Sequence, residues 1–148
     1  MTMQRFTDLV EAAGQLADIL PDDVIRQADL IVALGEPAIP VADVVAKRMG
    51  THANLLPVLR GEEPVIGEVP QCAGRSVLVV DRGVETGGSA LLAGQALRAA
   101  GATRLVLAVP VCPRQSEAQL ARIFDEIIAV QRPLARRSLQ WHYLAPLE

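Results

Sequence analysis

Apolar residues recur along the chain in two alternating rhythms. From Thr7 onward Leu9, Val10, Ala13, Leu16, Ala17 and Leu20 fall at helical spacing, and Pro21 predicts the stop. A run over 29–34, apolar from Leu30 onward, then predicts a buried strand. It leads through Gly35-Glu36-Pro37-Ala38-Ile39-Pro40 into a helix over 41–49 that Gly50 ends. Residues 77–80 predict a second buried strand, followed by a glycine-rich stretch, 81–89. A helix begins near Ser89, with Leu91, Leu92, Ala96, Ala99 and Ala100 on its apolar side and Gly101 as its stop. A strand over 105–109, a helix that a Ser116-Glu117-Ala118-Gln119 capping box opens and that runs to about Phe124, and a last strand over 126–130 complete the pattern. Between the first helical unit and the second strand the rhythm is weakest. Segments 55–59 and 65–69 read as short extended pieces around the turn-rich Arg60-Gly61-Glu62-Glu63-Pro64.

Strands alternating with helices at βαβ spacing predict an α/β fold, a doubly wound parallel sheet with ligands at the carboxyl ends of its strands. Composition agrees with this. The chain has 148 residues, 51% of them hydrophobic and only 3% aromatic, so aliphatic side chains and alanines must fill the interior of a single domain over 1–148. A formal net charge of −3 argues against a protein that binds nucleic acid by neutralising backbone phosphates. The sequence shows neither a basic-apolar-small leader nor an apolar run near the ~20 residues of a membrane span, so a cytoplasmic location is expected. Cys72 and Cys112 have no partners at ligand spacing and are expected to be reduced. His52 and His142 stand alone, so no metal-ligating set is expected.

The candidate chemistry lies in Asp81-Arg82-Gly83-Val84-Glu85-Thr86-Gly87-Gly88-Ser89. A buried strand running into a glycine-rich turn and then a helix presents unpaired N–H groups, and the helix dipole adds roughly half a positive charge there. Gly87 and Gly88 let the main chain approach a phosphate, and Thr86 and Ser89 add hydroxyl donors. This is not the Walker loop, since Ser89 stands where that loop needs lysine. Nor is it the dinucleotide fingerprint, whose glycine spacing differs.

An apolar strand, an acid at its end, a short gap and Thr86-Gly87-Gly88-Ser89 resemble the phosphoribosyl-diphosphate motif of the type I phosphoribosyltransferases. That motif has adjacent acids for the ribose hydroxyls and a Thr-Gly loop around the 5′-phosphate. The resemblance implies that Asp81 holds the ribose, that Glu85 handles a proton or hydroxyl, and that Arg82, Gly83, Val84, Thr86, Gly87, Gly88 and Ser89 line the ligand site. It implies a diphosphate loop at Gly35, Glu36 and Pro37, within Leu34-Gly35-Glu36-Pro37-Ala38-Ile39-Pro40-Val41-Ala42. The loop at 34–42, the Ala108-Val109-Pro110-Val111 run and the tail Gln140-Trp141-His142-Tyr143 resemble an uncharacterised phosphoribosyltransferase-like branch of that family. There the aromatic tail faces the cleft; the alternative is that it anchors the chain end.

Departures from the pattern carry information too. Arg82 occupies the second acid position, and Glu36 stands where the diphosphate loop has arginine. Facing each other across a cleft, the two would form an ion pair. The segment 51–75 is shorter than the family's hood. Two readings stay open: a magnesium-dependent phosphoribosyl transfer to a nitrogenous base, or a fold that keeps a phosphate or nucleotide site as a sensor or scaffold without transfer. A homodimer is expected in either case.

Overall fold

A computed structural model describes residues 5–59 and 62–147. Helix α1, Leu9–Asp18, opens on Asp8, whose Oδ1 accepts from the Glu11 amide at 2.9 Å while Glu11 Oε1 accepts from the Thr7 amide at 3.2 Å. The two ends of that exchange satisfy orphan donors of the first turn. Helix α2, Asp22–Gln27, is absent from the sequence reading. Pro21 not only stops α1 but is the N-cap of α2, with Asp22 and Asp23 favourably placed at its positive end. Strand β1 is Leu30–Leu34. A 3-10 turn, Glu36–Ala38, leads into α3, Ile39–Arg48. The remaining elements are β2, Asn54–Leu56; β3, Val58–Leu59; β4, Val65–Ile66; β5, Ser76–Val80; α4, Gly88–Ala99; β6, Arg104–Val111; α5, Arg114–Leu120; and β7, Glu126–Gln131. A second 3-10 turn, Leu139–His142, lies in the tail.

The main sheet has five parallel strands in the order β2-β1-β5-β6-β7. Side chains alternate between its two faces. Leu30, Val32, Leu34, Val77, Val79, Leu105, Leu107 and Val109 pack beneath Ala90, Ala93 and Leu97 of α4, together with Leu120 and Phe124. Ile31, Ala33, Leu78, Val80, Val106 and Ala108 face the opposite way, onto Leu16 of α1 and Val41 and Val45 of α3. Both faces are covered, which is why these strands read as continuous apolar runs. The chain winds outward from β1 to β2, then returns past β1 to continue through β5, β6 and β7. That reversal between β1 and β5 opens a crevice at their carboxyl ends.

Short extended pieces lie within segment 51–75 as expected: β2 extends the main sheet at its edge, and β3 pairs antiparallel with β4 through Val58 opposite Ile66 and Leu59 opposite Val65. Pro57, which has no N–H to donate, divides β2 from β3. Of the turn-rich link, Arg60 and Gly61 lie outside the described residues. One expectation needs correction, the Ser116 capping box. Helix α5 begins at Arg114 after Pro113, and Ser116 is a buried residue inside it. No helix among the described residues is long and apolar enough to cross a membrane.

Candidate phosphate-binding site

At the end of β5 the chain leaves the sheet through Asp81, which is only 7% exposed and accepts from the Arg82 amide at 2.7 Å. The Val84 amide donates to the Val111 carbonyl at 2.8 Å and ties the loop to β6. Gly87 takes φ +90°, a left-handed conformation that suits glycine, and caps α4 by accepting from the Leu91 amide at 2.9 Å. The Gly88 amide donates to Thr86 Oγ1 at 3.4 Å. The amides of Glu85, Thr86 and Gly87 meet no protein acceptor among the described residues. The positive end of α4 adds to the field there. These groups border a cavity of about 380 Å³ lined by residues 81–90 together with Leu139, Gln140 and Leu147.

Three of those lining residues come from the tail, which no spacing in the sequence associates with the loop. Glu85 Oε1 accepts from the Leu139 amide at 2.6 Å, and the Glu85 carbonyl accepts from Ser116 Oγ at 3.0 Å. Gly83 takes φ +151°, which favours glycine, and a Cβ there would push Leu139 Cδ1 aside. Gln140 folds back on the tail, donating to the Ala145 carbonyl at 3.0 Å and accepting from the Leu147 amide at 2.9 Å. Tyr143 is buried, and its hydroxyl donates to the Arg82 carbonyl at 2.7 Å. Burial pushes the Tyr143 phenol well above its ordinary range, so it stays protonated and donates.

The aromatic residues of the tail serve as anchors. Tyr143 pairs with Phe6 across a parallel bridge, their ring centroids 5.5 Å apart. The guanidinium carbons of Arg5 and Arg137 lie 4.3 and 4.2 Å from the centre of the Trp141 ring. His142 is fully buried, and neither of its ring nitrogens has a hydrogen-bond partner among the described residues. Burial pushes its pKa below the ordinary histidine value; Arg137 and Arg5 push the same way and Glu85 opposes them. Neither Trp141 nor Tyr143 lines the cavity.

The structure brings Asp81, Arg82, Gly83, Val84, Glu85, Thr86, Gly87, Gly88 and Ser89 around one cavity, while Gly35, Glu36 and Pro37 stay outside its lining. The Gly35 amide donates to the Leu56 carbonyl at 2.9 Å, folding that loop toward the β2–β3 side. The expected ion pair between Glu36 and Arg82 is absent from the ion pairs of the described residues. Glu36 is exposed, whereas Arg82 is half-buried in the cavity wall with its main chain held by Asp81 and Tyr143, so adjacency of the two loops does not bring the side chains together.

The magnesium that the resemblance implies finds a poor donor set here. Among the described residues no group of three or more His, Cys, Asp or Glu is arranged to hold a metal ion. Beside Asp81 stands a guanidinium, and a Glu85 oxygen is engaged by the Leu139 amide. Both cysteines are free, and burial, reinforced by Glu117, pushes the Cys112 thiol up to about 11, leaving it protonated and unreactive.

Comparison with known proteins places this geometry in context. No family model matches the chain. A Mycobacterium tuberculosis protein, "Putative phosphoribosyl transferase Rv0571c", is 42% identical over 60 residues, 40% of this chain but 14% of the relative's own length. The solved structure of TT1426 from Thermus thermophilus superposes with a TM-score of 0.78 at 23% identity, covering 96% of this chain and 91% of its own. Orotate phosphoribosyltransferase from Aeropyrum pernix superposes at 0.63 and 22% identity, over 82% of this chain and 68% of its own. A Neisseria gonorrhoeae protein solved with bound ppGpp superposes at 0.67 and 15% identity, over 97% of this chain and 93% of its own. With its parallel sheet, winding reversal and strand-loop-helix corner, the chain has the phosphoribosyltransferase fold.

Proposed function

We propose that this protein binds a ligand carrying ribose 5-phosphate, a phosphoribosyl diphosphate or a nucleotide. The 5′-phosphate would lie against residues 85–89 and the ribose beside Asp81. The observation that carries this reading is the set of main-chain amides at Glu85, Thr86 and Gly87, unpaired with protein acceptors among the described residues, at the positive end of α4 and bordering the cavity. A dianionic phosphate satisfies such donors and the helix field together. Thr86 Oγ1 accepts from the Gly88 amide, and its own proton is available to the phosphate. The ppGpp bound to the Neisseria gonorrhoeae neighbour supports an anionic nucleotide as one form of the ligand.

Substituting Gly88 tests the cradle. Its φ is not positive, and an added Cβ would meet only Thr86 Oγ1, at 3.7 Å, so the backbone tolerates a side chain that adds bulk to the cavity wall. Calorimetry with ribose 5-phosphate should show binding to the wild type and a loss of roughly tenfold or more in Gly88→Val. Equal binding to both proteins would contradict the proposal.

A second reading, phosphoribosyl transfer to a nitrogenous base, draws on Asp81, a buried carboxylate at the end of β5 beside the cavity. An oxocarbenium-like transition state needs a fixed anion close by, and Asp81 and Glu85 supply the acidic groups of this cavity. Magnesium would enter with the diphosphate oxygens of the substrate. Pyrophosphate release assayed with purine and pyrimidine bases should then be abolished by Asp81→Asn. No release with any base would leave ligand binding as the function. A homodimer belongs with both readings and is checked by sedimentation velocity.

A further inference from the structure

Arg82 is the residue on which the site departs furthest from the motif it resembles. We infer that its guanidinium takes the part a divalent cation would play, so that the cavity holds a phosphomonoester without metal and has no preference for phosphoribosyl diphosphate. This rests on the phosphate reading above and names the ligand class of that same cavity.

Arg82 lines the cavity, and no carboxylate pairs with it among the described residues; the ion pairs there use Arg48, Arg98, Arg104 and Arg132. Its Nε is buried and meets no acceptor among them. A cation partly stripped of water and without a direct ion-pair partner is costly, and an anionic ligand in the adjoining cavity offsets that cost. The base of the side chain is fixed. The Arg82 amide donates to Asp81 Oδ1 and its carbonyl accepts from Tyr143, each at 2.7 Å. The main chain from which the guanidinium reaches the cavity wall is therefore held in place.

A diphosphate and its metal would need more than this cavity offers. Magnesium requires oxygen ligands, ordinarily one or two carboxylates together with phosphate oxygens. The second acid of the motif is here the guanidinium itself, which repels a divalent ion, and a Glu85 oxygen is engaged with the tail. Residues 35–37, where a diphosphate loop was expected, lie outside the cavity lining. The Gly35 amide is taken by the Leu56 carbonyl, and exposed Glu36 brings negative charge. What the cavity offers is one cradle of amides and one guanidinium, a match for a single phosphate group. Such a group comes with ribose 5-phosphate or with a nucleoside 5′-monophosphate. Leu139 and Leu147 on the wall give the second an apolar surface for its base.

Calorimetry on the full chain separates the outcomes, using ribose 5-phosphate, adenosine and uridine 5′-monophosphates, and phosphoribosyl diphosphate, each with excess magnesium and with chelator. The monophosphates should bind within about twofold of the same affinity in both buffers, with phosphoribosyl diphosphate no tighter; Arg82→Gln should weaken them by roughly tenfold or more, and Arg82→Lys by less. Arg82→Asp, which rebuilds the acidic pair, should make binding magnesium-dependent and shift preference to the diphosphate. Tighter binding of nucleoside monophosphates than of ribose 5-phosphate identifies the nucleotide as the ligand; equal binding identifies the sugar phosphate. Affinity that needs magnesium in the wild type, or that Arg82→Gln leaves unchanged, overturns the inference while the phosphate reading stands, provided Gly88→Val still removes binding. Absence of binding by every compound in both buffers overturns both.

Discussion

His142 shows how much a single side chain contributes to the tail. Its imidazole is enclosed at 0% exposure, without a hydrogen-bond partner among the described residues, and burial together with Arg137 and Arg5 favours the neutral form. In the unfolded chain the group returns to its ordinary value, 6.5. Below that value, down to the depressed folded pKa, the unfolded chain binds more protons than the native one, so acid favours unfolding. Stability should therefore be fully present above pH 6.5 and decline as pH falls through and below it. This residue therefore contributes a positive slope of stability against pH over that window. Urea melts between neutral and mildly acidic pH should show that slope in the wild type and a shallower one in His142→Leu. Identical slopes would assign the acid sensitivity elsewhere.

Between elements, the contacts that matter join the loop after β5 to the tail. Tyr143→Phe removes the hydroxyl that holds the Arg82 carbonyl and leaves the packing of the ring against Phe6. Denaturant unfolding should register a loss of about 1 kcal/mol, typical of one hydrogen bond. Tighter or unchanged stability would show that the bond is not needed to hold the loop. The parallel sheet and the strand-loop-helix corner at 81–89 were legible in the sequence, because runs such as 77–80 and the glycines after them have local causes: burial on two faces and a left-handed residue at Gly87. The latch was not legible. The bonds from Leu139 to Glu85 and from Ser116 to the Glu85 carbonyl span separations of 54 and 31 residues, beyond any periodicity. Ser116 misled for a related reason: Pro113 can start a helix without a side-chain cap, and the serine hydroxyl was needed elsewhere. At Pro21 the misreading ran the other way, since one proline both closes α1 and opens α2.

For the molecule as a whole, winding order decides where the cavity lies. Reversal between β1 and β5 places the loop of residues 81–89 at the carboxyl edge of the sheet, and that much followed from βαβ spacing. Adjacency of the loops after β1 and β5 was also readable, but the direction in which each turns was not. The first bonds toward Leu56 and the second toward β6 and the tail, which is why charges reversed at 36 and 82 do not meet. The closing contact of the fold has one more consequence. The Phe6 amide donates to the His142 carbonyl and the Leu144 amide to the Phe6 carbonyl, each at 2.8 Å, beside the wall that Leu139, Gln140 and Leu147 complete. A nascent chain leaving the ribosome acquires β7, the last strand of the sheet, before that wall exists. Closure of the cavity thus waits until residues 139–147 have returned to Phe6, and a product terminated just after β7 would carry the sheet but no finished receptacle.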